Sequence, residues 1–234
     1  MTDRPLLVTG FEAYGGRGLN PAAEIARALD GHVVEGAPVV GQTLPVSFAK
    51  IGARMGGLLR ELDPQVVIAL GLAPGEAGIR IERFGLDIAD FEIPDNDGAL
   101  LEDARIADNG PTALPATLPV RAIEQALLEI GIPARLSTTA GTYLCNACLY
   151  TLLESAQSSA RATLCGFIHL PYLPAQVAEL LRRRKREART ETPERAEFAS
   201  MDLPVQMAAI EVALKTSLAA ARAITPRAFS AGVR

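Results

Sequence analysis

No tryptophan occurs among the 234 residues, and aromatic residues of all kinds make up only 5%. Histidine is almost as scarce, at two, and cysteine stands at three. An odd number of cysteines implies no disulfide framework, so reduced thiols and a cytoplasmic location are expected. No apolar run approaches the roughly 18 residues that a membrane-crossing helix needs. The start does not read as a signal peptide, because Asp3, Arg4 and Pro5 precede only a short apolar run ending at Thr9. An excess of positive charge is also missing. The chain has 23 Lys and Arg against 27 Asp and Glu, a net charge of −4, which gives no reason to expect a nucleic-acid partner. What remains is an ordinary soluble composition, 49% hydrophobic and 21% charged, in a chain long enough to bury a substantial core.

Apolar runs and helical periods alternate along the chain. PLLVTGF reads as a buried strand, and PAAEIARAL as a helix opened by Asn20 with Pro21 at its first position. VVGQTLPV predicts a second strand, a helix follows at 47–62, and QVVIALGL predicts a third strand that stops at the turn Pro74–Gly75. Residues 79–93 alternate as strands do and end at the turn signal PDNDG. Residues 99–120 hold three prolines with little periodicity and read as a long loop. Helix 120–130, strand 134–137, helix 142–156, strand 163–168, helix 174–189 and a last helix near 202–223 complete the pattern, with 225–234 expected as a mobile tail. This alternation predicts one three-layer α/β/α domain over 1–234 with a largely parallel, twisted central sheet. In such sheets sites form beyond the carboxyl ends of the strands. The loop after the first strand, the turn after the third and the stretch after 163–168 fall there.

The stretch TYLCNACLY carries two of the three cysteines, Cys145 and Cys148, spaced C-x-x-C. Thr142 or a neighbour is placed to cap the helix, which puts Cys145 in the first turn, where backbone N–H groups and the helix dipole lower a thiol pKa. Cys148 lies one turn on, on the same face. A nucleophilic cysteine needs a base that is itself oriented by a third group. His32 sits in a surface turn, DGHVV, and is expected to be solvated. His169, at the end of the strand TLCGFI, is the one sensible partner for Cys145. Glu82, a charge inside the apolar pattern IRIERF, is the candidate acid. Other readings of the same residues stay open: both cysteines as small core residues, a Cys₃His zinc site from Cys145, Cys148, Cys165 and His169, or a thioredoxin-like dithiol. The basic run RRRKREAR at 182–189 reads as a solvated helix end.

The segments VTGFEAYGG with NP at 20–21, IPDNDG at 93–98, TAGTYLCN at 139–146 and GFIHLPYLP at 166–174 closely resemble the pyroglutamyl-peptidase I family, in order from residue 5 to 180. The resemblance implies a cytoplasmic cysteine exopeptidase that removes N-terminal pyroglutamyl residues through a thioester, on an α/β/α domain often assembled into tetramers, with no cofactor and no metal. It implies peptides with N-terminal pyroglutamate as substrates, and neither nucleic acid nor membrane as partner. Carried over position by position, it implies a triad of Glu82, Cys145 and His169. The implied substrate pocket has Phe11 and Tyr14 flanking the lactam ring, with Val46, Leu72, Ile93, Tyr143 and Cys148 on its walls and Leu72 acting through its backbone. Asn20 is expected to brace the loop. The chain departs from the family at one place. FEIPDN stands where the family reads ARIPDN, so Glu92 replaces an arginine near the oxyanion. Glu92 is expected to turn outward, pairing with Arg80 or Arg83. A non-catalytic or slow homologue that still binds pyroglutamyl peptides is the alternative.

Overall fold

LLVTGF is buried at all six positions because it lies between two layers of helices, with alternate side chains serving each layer. Leu6 and Val8 join one apolar cluster, and Leu7 and Phe11 join the other. The computed structural model describes residues 4–16, 18–158, 161–187 and 198–224. Its elements run β1 (Leu6–Phe11), α1 (Pro21–Leu29), β2 (Val33–Val34), β3 (Ala37–Leu44), α2 (Phe48–Leu62), β4 (Val66–Leu72), β5 (Ile79–Glu82), β6 (Phe84–Leu86), β7 (Ala113–Pro115), α3 (Val120–Glu129), β8 (Ala134–Ser137), α4 (Leu144–Gln157), β9 (Leu164–Leu170), α5 (Pro174–Glu187) and α6 (Leu203–Ala223). The central sheet has the order β2-β3-β1-β4-β9-β5-β8. Helices α1, α3 and α6 cover one face, and α2 and α4 the other, as the two clusters require.

The helix starts follow local chemistry. Asn20 Oδ1 accepts from the Ala22 N–H at 3.1 Å, and Pro21 occupies the first position, where its missing N–H costs nothing. The same Asn20 donates to the Glu12 carbonyl at 3.0 Å, which ties the loop after β1 back to α1. That helix lies so close to β1 that a Cβ on Gly10 would meet the Ala22 oxygen at 2.0 Å, so the close approach depends on glycine.

The largely parallel sheet is present: β3, β1, β4 and β9 all run the same way. Strand β5, however, pairs antiparallel with β9, with Arg80 opposite His169 and Ile81 opposite Ile168, while β8 follows β5 in parallel. Strand β9 runs on to Leu170, so His169 lies inside the strand rather than after it. The long 99–120 loop contains β7, which pairs with β6 in a separate two-stranded sheet. Its aperiodic part is pinned by one buried carboxylate. Asp87 accepts from the backbone N–H groups of Ile106 and Ala107 at 2.7 and 2.8 Å, and also from the Arg105 guanidinium. The basic run ends α5, where Arg182 and Arg186 both pair with Glu179. Residues 188–189 of that run and the expected tail at 225–234 lie outside the described residues.

Candidate active site

Strand alternation places Gly71 on the same face of β4 as Val67 and Ala69, and His169 on the same face of β9 as Cys165 and Phe167. Gly71 and His169 are register partners on these neighbouring strands. Helix α4 packs over this face and brings Cys145 down onto it. A Cβ at Gly71 would stand 2.8 Å from Cys145 Sγ and 2.7 Å from Cζ of Phe167. The sulfur therefore rests on the backbone of residue 71, beside the strand position that carries the imidazole. The His169 and Phe167 rings stand 4.8 Å apart, which fixes the imidazole from its own strand.

Cys145 is the second residue of α4, in the first turn as expected. Thr142 is not the cap. Its hydroxyl donates to the Asp90 carbonyl at 2.7 Å, and the capping position is Tyr143, which makes no side-chain capping bond. The early N–H groups of α4 thus keep no side-chain acceptor at the cap, which leaves them available to a ligand.

His169 Nδ1 lies 2.7 Å from Glu82 Oε1. Because β5 runs against β9, Arg80 stands at the level of His169 and Glu82 lies two residues deeper, where it is fully enclosed. Burial favours the protonated acid, but hydrogen bonds from His169 and Arg80 outweigh it and hold Glu82 below the usual carboxylate range. An ionised Glu82 accepts a hydrogen bond from Nδ1–H of His169, so the lone pair is assigned to Nε2. Burial also lowers the His169 pKa, against the pull of Glu82, so the imidazole is held neutral.

The thiol behaves differently from the expectation. Cys145 keeps partial access to solvent, yet enough protein surrounds its sulfur for burial to be the first cause that pushes its pKa up, to about 12. The negative charge of Glu82 adds to this, and Arg80 and the cysteine's own backbone N–H oppose it without prevailing. The helix-start effect is present but is outweighed by desolvation. At rest the pair is a thiol beside a neutral imidazole.

Of the implied pocket residues, Phe11, Tyr14, Val46, Tyr143 and Cys148 share one apolar cluster with Cys145, with differing exposure. Phe11 closes β1 and is buried, and Val46 is buried. Tyr14 and Tyr143 stand with ring centroids 6.0 Å apart, and Tyr143 continues edge-on to Phe91 at 4.6 Å and thence to Phe48. Tyr143 donates to the Pro94 carbonyl at 3.2 Å, next to Ile93, which is 41% exposed. Leu72 ends β4 with its side chain on the face of Ile68 and Leu70, opposite the sulfur, so only its backbone can face a ligand on the Cys145 side. Cys148 is fully enclosed within the α2/α4 cluster, and burial, with the charge of Cys145, pushes its thiol up. Cys165 is buried in β9. Among the described residues no three His, Cys, Asp or Glu side chains form a group that could hold a metal ion.

Three features escaped the sequence reading. The IPDNDG turn is a brace: Asp95 accepts from the Phe48 N–H at 2.8 Å, and Asn96 donates to Glu12 Oε1 and to the Ala13 carbonyl, both at 3.0 Å. Phe91 and Phe48 extend the aromatic wall. Arg80 sits in the same IRIERF run as Glu82, where the sequence offers its charge only as a partner for Glu92. Glu92 is exposed, and its expected partners are committed elsewhere. Arg80 binds Glu82 and Glu76, and Arg83 lies over the Phe84 ring at 5.3 Å.

Comparison with known proteins places this geometry. The family model described as pyroglutamyl peptidase matches residues 4–219. The pyrrolidone-carboxylate peptidase of Pyrococcus furiosus is 40% identical over 213 residues, covering 91% of this chain and 99% of that protein. That of Thermococcus litoralis is 41% identical, covering 92% and 93%, and that of Klebsiella pneumoniae 43% identical, covering 74% and 80%. The solved structure of the pyrrolidone carboxyl peptidase from Thermococcus litoralis superposes with a TM-score of 0.85 at 39% identity, covering 94% of this chain and 96% of that one. Sequence and fold agree, and the chain belongs to the pyroglutamyl peptidase family.

Proposed function

We propose that this protein is a cysteine exopeptidase that releases N-terminal pyroglutamate from peptides, with Cys145 as nucleophile, His169 as general base and acid, and Glu82 as its orienting carboxylate. The observation that carries the reading is the seat of Cys145 Sγ over Gly71, one strand from an imidazole whose Nδ1 is 2.7 Å from a buried carboxylate. Pyroglutamate is neutral and lacks the free amine that other aminopeptidases grip, so its site should be aromatic and apolar with a few backbone contacts. The Tyr14–Tyr143 pair, Phe11, Val46, Cys148, Ile93 and the Leu72 backbone meet that description.

Sγ attacks the carbonyl carbon that joins pyroglutamate to the next residue as Nε2 of His169 takes the thiol proton. The new C–S bond pushes the carbonyl pair onto oxygen, where the unused N–H groups at the start of α4 stabilise it. Collapse of this intermediate breaks the C–N bond, and His169 returns the proton to the departing amine. Water, deprotonated by the same nitrogen, then cleaves the thioester to free pyroglutamate and the thiol. Because both resting groups are neutral, proton transfer accompanies attack instead of preceding it. The resemblance also supports one domain over the whole chain, a homo-oligomer such as a tetramer, and a cytoplasmic location. No described helix is long and apolar enough to cross a membrane. Release of a chromogenic amine from a pyroglutamyl amide, set beside alanyl and prolyl amides, tests the reading. Turnover confined to the pyroglutamyl compound and lost in Cys145→Ser is expected. Binding without turnover would move the protein to the non-catalytic alternative.

A further inference from the structure

Among the described residues Arg80 is the one cation that touches the proposed triad. It faces His169 directly across the β5–β9 pair, and its side chain is 19% exposed. Burying a guanidinium to this extent requires acceptors for its donors, and three are supplied. Nε donates to Glu82 Oε1 at 2.7 Å, Nη1 to Glu76 Oε1 at 3.0 Å, and Nη2 to the Thr139 carbonyl at 3.2 Å. These acceptors belong to three separate parts of the site: the triad acid, the turn between β4 and β5, and the loop that leads into Cys145. The planar fork of arginine matches such a set, and a lysine ammonium matches it poorly.

The Glu82 contact has a particular consequence. One oxygen, Oε1, lies 2.7 Å from both Arg80 Nε and His169 Nδ1. A carboxylate oxygen that serves a full cation has less negative charge to offer the imidazole. The charged groups that bear on His169 are Glu82 and Arg80 from β5 and Glu76 from the preceding turn, with Arg135 of β8 bound to Glu76; Cys145 of α4 packs on the same face over Gly71. Strand β4 presents only Gly71. Without Arg80 this set keeps both carboxylates and loses one of its two cations.

We infer that Arg80 is a positioning residue of the hydrolytic site, limiting the grip of Glu82 on His169 while anchoring the loop that delivers Cys145. The inference rests on the proposed peptidase chemistry and assigns Arg80 no contact with substrate. Its sign is fixed by electrostatics. Removing a cation favours the protonated form of each neighbour, and Arg80 is among the influences that lower both His169 and Cys145. Whichever of the two governs the acid limb of kcat/KM, the limb must move to higher pH when the charge is lost.

The experiment is kcat/KM against pH on a pyroglutamyl amide for wild type, Arg80→Met, Arg80→Lys, Glu82→Gln and the Arg80→Met/Glu82→Gln pair, each with a thermal melt. In Arg80→Met the acid limb should rise by about one pH unit, and kcat should fall about tenfold with a smaller change in KM, less than the ~10²–10⁴ that a general base supplies. Arg80→Lys should restore the limb but only part of kcat, because one ammonium cannot reach all three acceptors. In the Glu82→Gln background Arg80→Met should shift the limb by less than in the wild-type background, because only the direct influence of the cation remains; a shift as large as in the wild-type background would overturn the part of the inference that runs through Glu82. If Arg80→Met does not fold, Arg80→Lys decides the matter: a reduced kcat with an unmoved limb supports the inference, and wild-type kcat overturns it. A folded Arg80→Met with unmoved limbs also overturns it. Absence of turnover in the wild type would instead remove the peptidase reading.

Discussion

The sulfur of Cys145 stands only 2.8 Å from the point where a side chain at Gly71 would begin. The nucleophile is thus seated by an absence: the strand passes beneath it with no Cβ, and the imidazole-bearing strand lies alongside. Gly71→Ala is expected to push Sγ and the Phe167 ring out of place. Overpacking of this kind costs about 1–3 kcal/mol, and a misplaced nucleophile loses far more activity than stability. Melting and kcat measured together check this, and a Gly71→Ala enzyme with wild-type kcat would contradict the seat described.

Alkylation of the resting enzyme offers a second check. With the Cys145 thiol pushed up to about 12, the thiolate is a minor species at neutral pH. Labelling by iodoacetamide should be slow there and should rise throughout the alkaline range without an inflection near neutrality. Cys145 should still label before Cys148 and Cys165, which are wholly enclosed. A resting inflection below pH 7, read by mass spectrometry of the labelled peptides, would mean that a preformed thiolate is present.

His169→Ala should lower kcat by about 10²–10⁴, the usual share of a general acid–base group. Glu82→Gln should cost less, since it keeps a hydrogen-bond acceptor for Nδ1 and removes only the charge. Near-normal turnover in His169→Ala would remove it from the mechanism. Chelators should leave the wild-type rate unchanged.

Much of this site was legible in the residues and some was not, for physical reasons. Two histidines and one C-x-x-C left few combinations, so Cys145 and His169 could be nominated together from chemistry, while two buried core thiols and a Cys₃His zinc site stayed open as readings of the same residues. Glu82 stood out as a charge in an apolar run, but so did Arg80. Nothing local distinguishes a triad acid from its counter-ion, because the direction of β5 is decided by long-range pairing with β9. Thr142 was a reasonable cap by type, yet its hydroxyl is drawn to Asp90 by a loop 52 residues away. The raised thiol pKa likewise depends on how tightly α4 closes on the sheet, which helix position does not reveal. The order of strands and helices was readable because each apolar run is bounded by turn residues. Strand β7 was hidden because its three residues, ALP, have no room for a period.

Glu92→Ala should change kcat on a pyroglutamyl amide little, since the carboxylate is exposed and well solvated. Glu92→Arg tests the reverse charge at the same place. A tenfold rise in both would show that Glu92 opposes the oxyanion, given that one oxyanion contact is worth about 10²-fold or more.

The ring sequence Tyr14–Tyr143–Phe91–Phe48 has an optical consequence. With no tryptophan to dominate it, the protein's ultraviolet emission comes from four tyrosines, two of which form the pair where the lactam is proposed to lie. Any guest that separates or stacks against those rings alters a large share of the native signal. The enzyme therefore contains its own label-free reporter of occupancy, readable in Cys145→Ser, where bound peptide would persist uncleaved.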